Sequence, residues 1–446
     1  MLGGNIAGVV ARQPGGRLRF DYDENYRSLP SPTPVSVSMP TQVPAHPDRV
    51  IRPWLWGLLP ENEDVLKRWE RQFHASASSP FSMLSTPIGH DCAGAVRFAG
   101  SETVDELLTR PGTVQWLTER EVAERIRDLR RDATSWLGRT FTGQFSLAGA
   151  QAKTALLLED GRWGVPLGSA ATSHILKPAV AGLDDHDLNE HLCLNAARRA
   201  GLTAVRTSIA QFEDQTAIVV QRYDRRREPN GGLTRIHQED LCQALSLPPT
   251  KKYQNEGGPS PADIARLLRK VMPAAISETA IATFLDGLAW NWIIAGTDAH
   301  AKNYSLLMAG NELRLAPLYD VASALPYGIH ERRLRLAMAI GRDYRVFPER
   351  NRWPEAAEQL GIDPEVTVER VKELAESAPD AFRDAAAEPA VVKLERGLPD
   401  RLVDLVADRA RRCLKVLTYP SPRPMLRPQS RGTAVEGDRR RLTNPS

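Results

Sequence analysis

Asp298-Ala299-His300-Ala301-Lys302-Asn303, followed downstream by Leu318-Tyr319-Asp320, holds the residue types in this chain best suited to chemistry. A carboxylate, an amide five residues on and a second carboxylate on a neighbouring turn suit metal-assisted phosphoryl transfer. Asp298 can accept the proton of an attacking hydroxyl, while Asn303 and Asp320 can hold magnesium against the phosphates of ATP. A single acid in a turn more often serves as a local cap. Three groups at this spacing are harder to explain that way. His300 has no second histidine at a ligand spacing, so an orienting hydrogen bond within the loop suits it better than a metal. Lys302 reads either as a neutraliser of the transferring phosphate or as a solvated side chain.

Phosphoryl transfer also needs a phosphate cradle, a lysine on the phosphates and a group to hold that lysine. Ser146-Leu-Ala-Gly149-Ala150-Gln151-Ala-Lys153 offers small residues that let backbone N–H groups approach phosphate oxygens, and Lys153 adds a point charge. It is neither Gly-x-Gly-x-x-Gly nor a Gly-Lys-Ser/Thr P-loop, so a plain surface turn stays open beside a nucleotide loop. Lys177 ends an apolar strand and Glu190 lies on the next helix, an order that suits a buried lysine and its partner. A lysine snorkelling from a strand end is the alternative. The Asp-x-x-x-x-Asn spacing is that of the protein-kinase catalytic loop, although the surrounding letters differ.

Several elements must position these residues. Ile281, Phe284, Leu285, Leu288, Ala289, Trp292 and Ile293 follow helical spacing, so the loop at 297–303 leaves the end of a buried helix stopped by Gly296. Strands are expected at 304–308 and 313–318, with Asp320 where the second stops. Upstream, 154–158, 173–177 and 216–223 read as strands, and 184–200 as a helix whose acidic start and basic end match its dipole. Helices are expected at 65–73, 102–108, 119–137 and 354–417, and His237 to Asp240 reads as a helix opening. Ser28 to Pro53 is rich in proline and suits an extended crossing segment. Trp54 and Trp56 read as small-domain core. Arg225-Arg226-Arg227 suits a solvated turn or a nucleic-acid contact.

Of the 446 residues, 42% are hydrophobic and 25% charged, enough for a full core. No stretch approaches the roughly 18 apolar residues of a membrane span, and the first residues lack a secretory pattern. Cys92, Cys193, Cys242 and Cys413 are scattered singly, as buried reduced thiols are. A cytoplasmic protein with no membrane partner is expected. The net charge is +3, and most of the basicity sits in the proline- and arginine-rich residues 418–446, expected to be disordered.

With these pieces in place the chain resembles the HipA family, the serine/threonine-kinase toxins of bacterial type II toxin–antitoxin pairs. Ser146-Leu-Ala-Gly-Ala-Gln-Ala-Lys-Thr is similar to the family's phosphate loop, and Asn189-Glu190-His-Leu-Cys-Leu to its lobe helix. Val219-Val-Gln-Arg-Tyr-Asp-Arg225 is similar to its hinge, and Gly296-Thr-Asp-Ala-His-Ala-Lys-Asn303 to its catalytic loop. Leu318-Tyr-Asp-Val is similar to its metal-binding turn, and the run from His237 to Leu245 is shared. Gly57-Leu-Leu-Pro-Glu-Asn and Gly89-His-Asp-Cys-Ala-Gly-Ala-Val resemble the small domain that precedes the kinase.

The resemblance implies an α+β, two-lobed, protein-kinase-like fold with an α/β N-terminal half, an extra small N-terminal domain and an all-helical C-terminal half. The corresponding divisions are 1–138, 139–236, 237–417 and the tail 418–446. It implies Asp298 as base, Asn303 and Asp320 as Mg2+ ligands, Glu190 positioning Lys177, and Gly149, Ala150, Gln151, Lys153 and Lys177 around the ATP phosphates. Gln221 and Tyr223 fall at the adenine, with His300, Lys302 and Tyr319 also lining the nucleotide site. An acidic residue is common at position 221, so Gln221 is expected to act only through its backbone. Ser146 matches a serine that is autophosphorylated in trans, which ejects the loop and silences the kinase. The implied partners are a HipB-like helix-turn-helix antitoxin, operator DNA mainly through that antitoxin, and a protein substrate of the aminoacyl-tRNA synthetase class. A corepressor that mainly binds its antitoxin on DNA is the alternative function.

Overall fold

The computed structural model describes residues 1–138, 144–229 and 231–419. Near the N-terminus β1 (Gly8–Arg12), β2 (Leu18–Tyr22) and β3 (Ala45–Pro47) form an antiparallel sheet in that order. The helix Asp48–Trp56 packs on β2 and puts Trp54 fully out of water, as the sequence leads one to expect. It also takes over the last part of the proline-rich stretch, which is therefore not extended to Pro53; that proline lies inside the helix.

The largest sheet is antiparallel, with six strands in the order β4-β6-β5-β7-β9-β8. These are β4 (Thr113–Leu117), β5 (Thr154–Glu159), β6 (Arg162–Leu167), β7 (His174–Lys177), β8 (Thr207–Phe212) and β9 (Gln215–Gln221). Its central strands read as apolar runs because both faces are covered. Ile218 and Val220 of β9 pack into the core that contains Leu188 and Leu192 of the helix His186–Arg199. Ala217 and Val219 point the other way, toward Val122 and Ile126 of the helix Glu119–Arg131. Thr118 and Glu121 cap that helix reciprocally, which fixes where it starts. Thus residues 113–131 pack with the sheet that the sequence assigns to 139–236.

Beyond the hairpin β10 (Arg225–Arg227) and β11 (Leu233–Arg235), the chain is mainly helical but not all-helical. His237–Asp240 is a strand, β12, and only its last residue, Asp240, opens a helix by capping Leu241–Ala244; β12 pairs with β13 (Ser305–Ala309), which pairs in turn with β14 (Glu312–Leu315). The extended backbone lets Glu239 accept from Val37 N at 2.8 Å and Trp54 Nε1 at 3.1 Å, tying this strand to the N-terminal residues. A second hairpin, β15 (Arg335–Ile340) with β16 (Asp343–Arg345), follows. The helices Ala274–Ile293, Pro364–Ala386 and Leu398–Leu417 build the largest core, with Phe284, Trp290, Phe382 and Leu402 inside it. All four cysteines are buried and unpaired. Among the described residues no helix is long and apolar enough to cross a membrane. The proline- and arginine-rich tail lies outside the described residues beyond Tyr419.

Candidate active site

A cavity of about 420 Å³ lies between the six-stranded sheet and the helices. Its walls carry Gly149, Ala150, Gln151, Lys153, Lys177, Glu190, Gln221, Tyr223, Asp298, His300, Lys302, Asn303, Tyr319 and Asp320. These are the residues the sequence singles out, with Ser146 lying just behind the wall.

Lys177 ends β7 and is 5% exposed. Its Nζ donates to Glu190 Oε1 at 2.7 Å and also to Asp320 Oδ1. Burial works against the ammonium charge, but the Asp320 and Glu190 carboxylates outweigh it and hold the lysine protonated. In return, the ammonium groups of Lys177 and Lys153 overcome the burial of Asp320 and hold its carboxyl well below the usual range. Desolvation pushes Glu190 the other way, upward. The side chain of Asp320 still has 37% of its surface exposed. Its backbone is in the left-handed region at φ +57°, which aspartate tolerates better than most residues. Leu318 anchors the turn by exchanging backbone bonds of 2.9 Å with Thr203 and Val205, just after the helix that carries Glu190.

The catalytic-type loop follows the helix Ala274–Ile293 at Gly296, where a Cβ would sit 2.3 Å from Asn291 Oδ1 and force that buried amide to move. Asp298 is exposed, and its carbonyl accepts from His300 N at 2.8 Å and Asn303 Nδ2 at 2.9 Å. Its carboxylate accepts from the hydroxyl of Tyr253 at 2.5 Å. His300 is buried edge-on against the Tyr253 ring with centroids 5.0 Å apart, and burial lowers its pKa. Among the described residues no group of three or more His, Cys, Asp or Glu side chains forms a metal cluster. The His300 ring does not make the orienting hydrogen bond expected of it: its Nδ1 is buried without a hydrogen-bond partner among the described residues, and the ring is held by packing on Tyr253.

Lys302 is neither solvated nor directed only at the cavity. Its Nζ donates to Asp240 Oδ2 at 2.5 Å and lies 4.0 Å from Glu61. Burial opposes its charge, yet Asp240 and Glu61 raise its pKa. Its site needs a cation whether or not a nucleotide is present. Tyr319 stacks on Tyr223 with centroids 5.6 Å apart and donates to Lys302 O at 2.6 Å, so the ring lines the floor and braces the loop.

Around the phosphate-type loop, Gly149 takes φ +103°, and its carbonyl accepts from Glu61 N at 3.1 Å. Lys153 is 4% exposed, donates to Ala148 O at 3.0 Å and lies 4.5 Å over the Trp136 ring. Burial lowers its pKa to about 8. Ser146 is fully buried; its hydroxyl donates to Leu58 O at 2.8 Å and its N–H to Asp91 O at 3.0 Å.

Four contributors escaped the sequence reading: Glu61, Asp240, Tyr253 and Asp91. Glu61 pairs with Lys252 at 2.6 Å. Asp91 accepts from Thr172, Arg225 and Arg235, and Arg222 lies 3.6 Å away. Arg225 is thereby buried, and it is not part of a solvated basic turn. Glu61, Asp240 and Asp91 all occur inside the motifs quoted above, so position was visible without role. Tyr253 had no such signal.

The family model described as HipA N-terminal domain matches residues 1–99, and that described as HipA-like C-terminal domain matches residues 145–382. Y4mE of Sinorhizobium fredii, named as a kinase, is 32% identical over 410 residues, covering 92% of this chain and 96% of that protein. The serine/threonine-protein kinase toxin HipA of Shewanella oneidensis is 29% identical over 298 residues, 64% of this chain and 66% of its own. A solved structure of the Shewanella oneidensis HipA, HipB and operator DNA complex superposes with a TM-score of 0.76 at 24% identity, covering 94% of this chain and 96% of that one. On the family match and the near full-length relative, the chain belongs to the HipA family of kinase toxins.

Proposed function

We propose that this chain is a Mg-ATP-dependent serine/threonine protein kinase acting as the toxin of a type II toxin–antitoxin pair. The observation that carries the reading is the meeting of Asp298, Asn303, Asp320 and the Lys177–Glu190 pair in one cavity with the loop from Leu147 to Lys153. Asp298 reaches out from the loop and would take the proton of the acceptor hydroxyl. Lys177, held protonated, would meet the phosphates, and the small residues Gly149 and Ala150 would let backbone N–H groups approach them. The N–H groups of Gln221 and Arg222 already bond the carbonyls of Arg206 and Ser173, each at 2.9 Å. Backbone recognition of adenine there would fall to carbonyls and to Tyr223.

The donor set suits magnesium, which keeps several waters and takes one or two protein oxygens besides the phosphates. Asp320 and Asn303 would hold it, and when bound it would neutralise charge on the phosphate oxygens. Ser146 would be an autophosphorylation site. Its buried seat has no room for a phosphate, so modification would require the loop to leave. The substrate class we favour is a translation-related protein such as an aminoacyl-tRNA synthetase.

A helix-turn-helix antitoxin of the HipB kind is the proposed partner, since the superposable Shewanella oneidensis structure contains HipB and operator DNA. Operator DNA would be reached mainly through it. Arg225 is buried on Asp91, Arg226 pairs with Glu228 and Arg227 with Glu159, so this run is not a free cationic patch. The alternative, a corepressor without catalysis, predicts the same assembly but no transfer. Incubation of the purified chain with Mg2+ and labelled ATP, with phosphate mapped by mass spectrometry, separates the two. The kinase reading expects label on Ser146 and none with Asp298→Ala. An unlabelled wild-type chain that still binds ATP would overturn it.

A further inference from the structure

We propose that Tyr253 is a positioning residue for the base: its hydroxyl fixes one oxygen of Asp298 and so directs the other at the acceptor hydroxyl. The inference rests on the kinase reading above. Asp298 is exposed, and among the described residues the loop's hydrogen bonds to it reach only its carbonyl, from His300 N and Asn303 Nδ2. The Tyr253 hydroxyl is what restrains its side chain, donating to Oδ1 at 2.5 Å. Among the described residues no hydrogen bond reaches Oδ2. An exposed carboxylate without such a restraint samples several rotamers, and each misdirected one lowers the fraction of base in a productive orientation.

Tyr253 is itself fixed from several sides, so it is not a side chain that any acceptor easily pushes away. The preceding carbonyl, of Lys252, accepts from Ala301 N in the loop at 3.2 Å. The ring meets His300 edge-on, and Lys252 Nζ lies 5.2 Å from its centroid while pairing with Glu61. The Tyr253 carbonyl accepts from Glu256 N at 3.0 Å and Gly258 N at 2.9 Å. A Cβ at Gly258 would lie 2.7 Å from that carbonyl oxygen, so the tight turn requires glycine there. The neighbouring Gln254 accepts from Ala339 N at 2.8 Å, anchoring the segment to β15. Burial, followed by the bond to Asp298, raises the phenol pKa, so Tyr253 stays a donor at neutral pH.

Tyr253→Phe tests this in the full chain, because it removes the hydroxyl and keeps the ring. Transfer from labelled ATP to an Asp298→Asn copy of the chain is measured for wild type and variant, together with the melting temperature. Positioning predicts a kcat lower by about tenfold or more, the scale of one hydrogen bond to a charged group. The KM for ATP should stay within about twofold and the melting temperature should not move. Unchanged kcat overturns the inference. A raised kcat/KM also overturns it, because Tyr253 would then be occupying the acceptor's place. A fall in kcat accompanied by a lower melting temperature assigns a structural role and overturns it too. If wild type transfers no phosphate, the kinase reading fails, and this inference fails with it.

Discussion

Lys302 and Asp240 form a buried ion pair at 2.5 Å, joining the loop of Asp298 to the strand β12 that holds the N-terminal residues. Asp240 also caps the next short helix by accepting from Gln243 N at 2.9 Å. Lys302→Ala leaves that carboxylate buried without its cation, and we expect a loss of about 3–5 kcal/mol of stability. Combining Lys302→Met with Asp240→Asn should recover most of it, because asparagine caps as well as aspartate. Urea unfolding of the three chains checks this. Equal destabilisation of the single and double variants would argue against a buried charge as the cause.

The catalytic-type loop was legible because its chemistry sits in six consecutive residues behind a helix with unbroken apolar periodicity. The Lys177–Glu190 order was legible because strand and helix are adjacent in sequence. The roles of Asp240 and Glu61 were not, since each acts on a lysine far away in the chain, and no local pattern records such a pairing. The helix start that Asp240 caps is legible, but the strand β12 leading into it is not, for a related reason. Its four polar letters carry no strand periodicity, and the strand forms only because β13, some 65 residues on, supplies the pairing. Arg225 looked solvated beside two other arginines, and only the fold brings Asp91 to it.

Lys153 gives the site a pH dependence on the alkaline side. Its folded pKa lies at about 8, below the ordinary lysine value, so the side chain is charged at neutral pH and loses that charge as pH rises through 8. ATP favours the charged form, so its Kd should rise between about pH 8 and 9.5, and Lys153→Arg should flatten that rise. Stability runs in the opposite direction. The unfolded chain holds this proton up to about pH 10.4, so between 8 and that value the Lys153 contribution to stability grows with pH. Nucleotide titration calorimetry at several pH values measures the first effect and urea midpoints the second.

Asp91 predicts sensitivity to acid. Despite full burial, Arg225, Arg235 and Arg222 hold its carboxyl far below the usual carboxylate range. A depressed folded pKa contributes stability that is present above the unfolded value of about 3.9 and is lost as pH falls below it. Asp91→Asn removes the charge that three arginines share and should cost about 3–5 kcal/mol at pH 7. The gap between variant and wild type should narrow as pH drops below 4. A gap that stays constant with pH would mean that shape, not charge, makes Asp91 necessary.

Ser146 predicts a contrast between two substitutions at one fully buried position. Ser146→Ala removes the hydrogen bond to Leu58 O but fits the same space, so the loop should stay seated at a cost of about 1 kcal/mol. Ser146→Asp places a carboxylate where the serine hydroxyl now donates to the carbonyl oxygen of Leu58, beside the Asp91 carbonyl that accepts from the Ser146 N–H. Among the described residues the Ser146 side chain bonds only the Leu58 carbonyl, so a charge in that seat faces a carbonyl oxygen, and burying it there should cost more than releasing the segment. The aspartate chain should therefore lose ATP affinity by tenfold or more and gain a protease-sensitive site between residues 144 and 153. Limited proteolysis with and without ATP reads both effects. If the aspartate chain resists cleavage and binds ATP like the alanine chain, the buried serine does not control the seating of the loop.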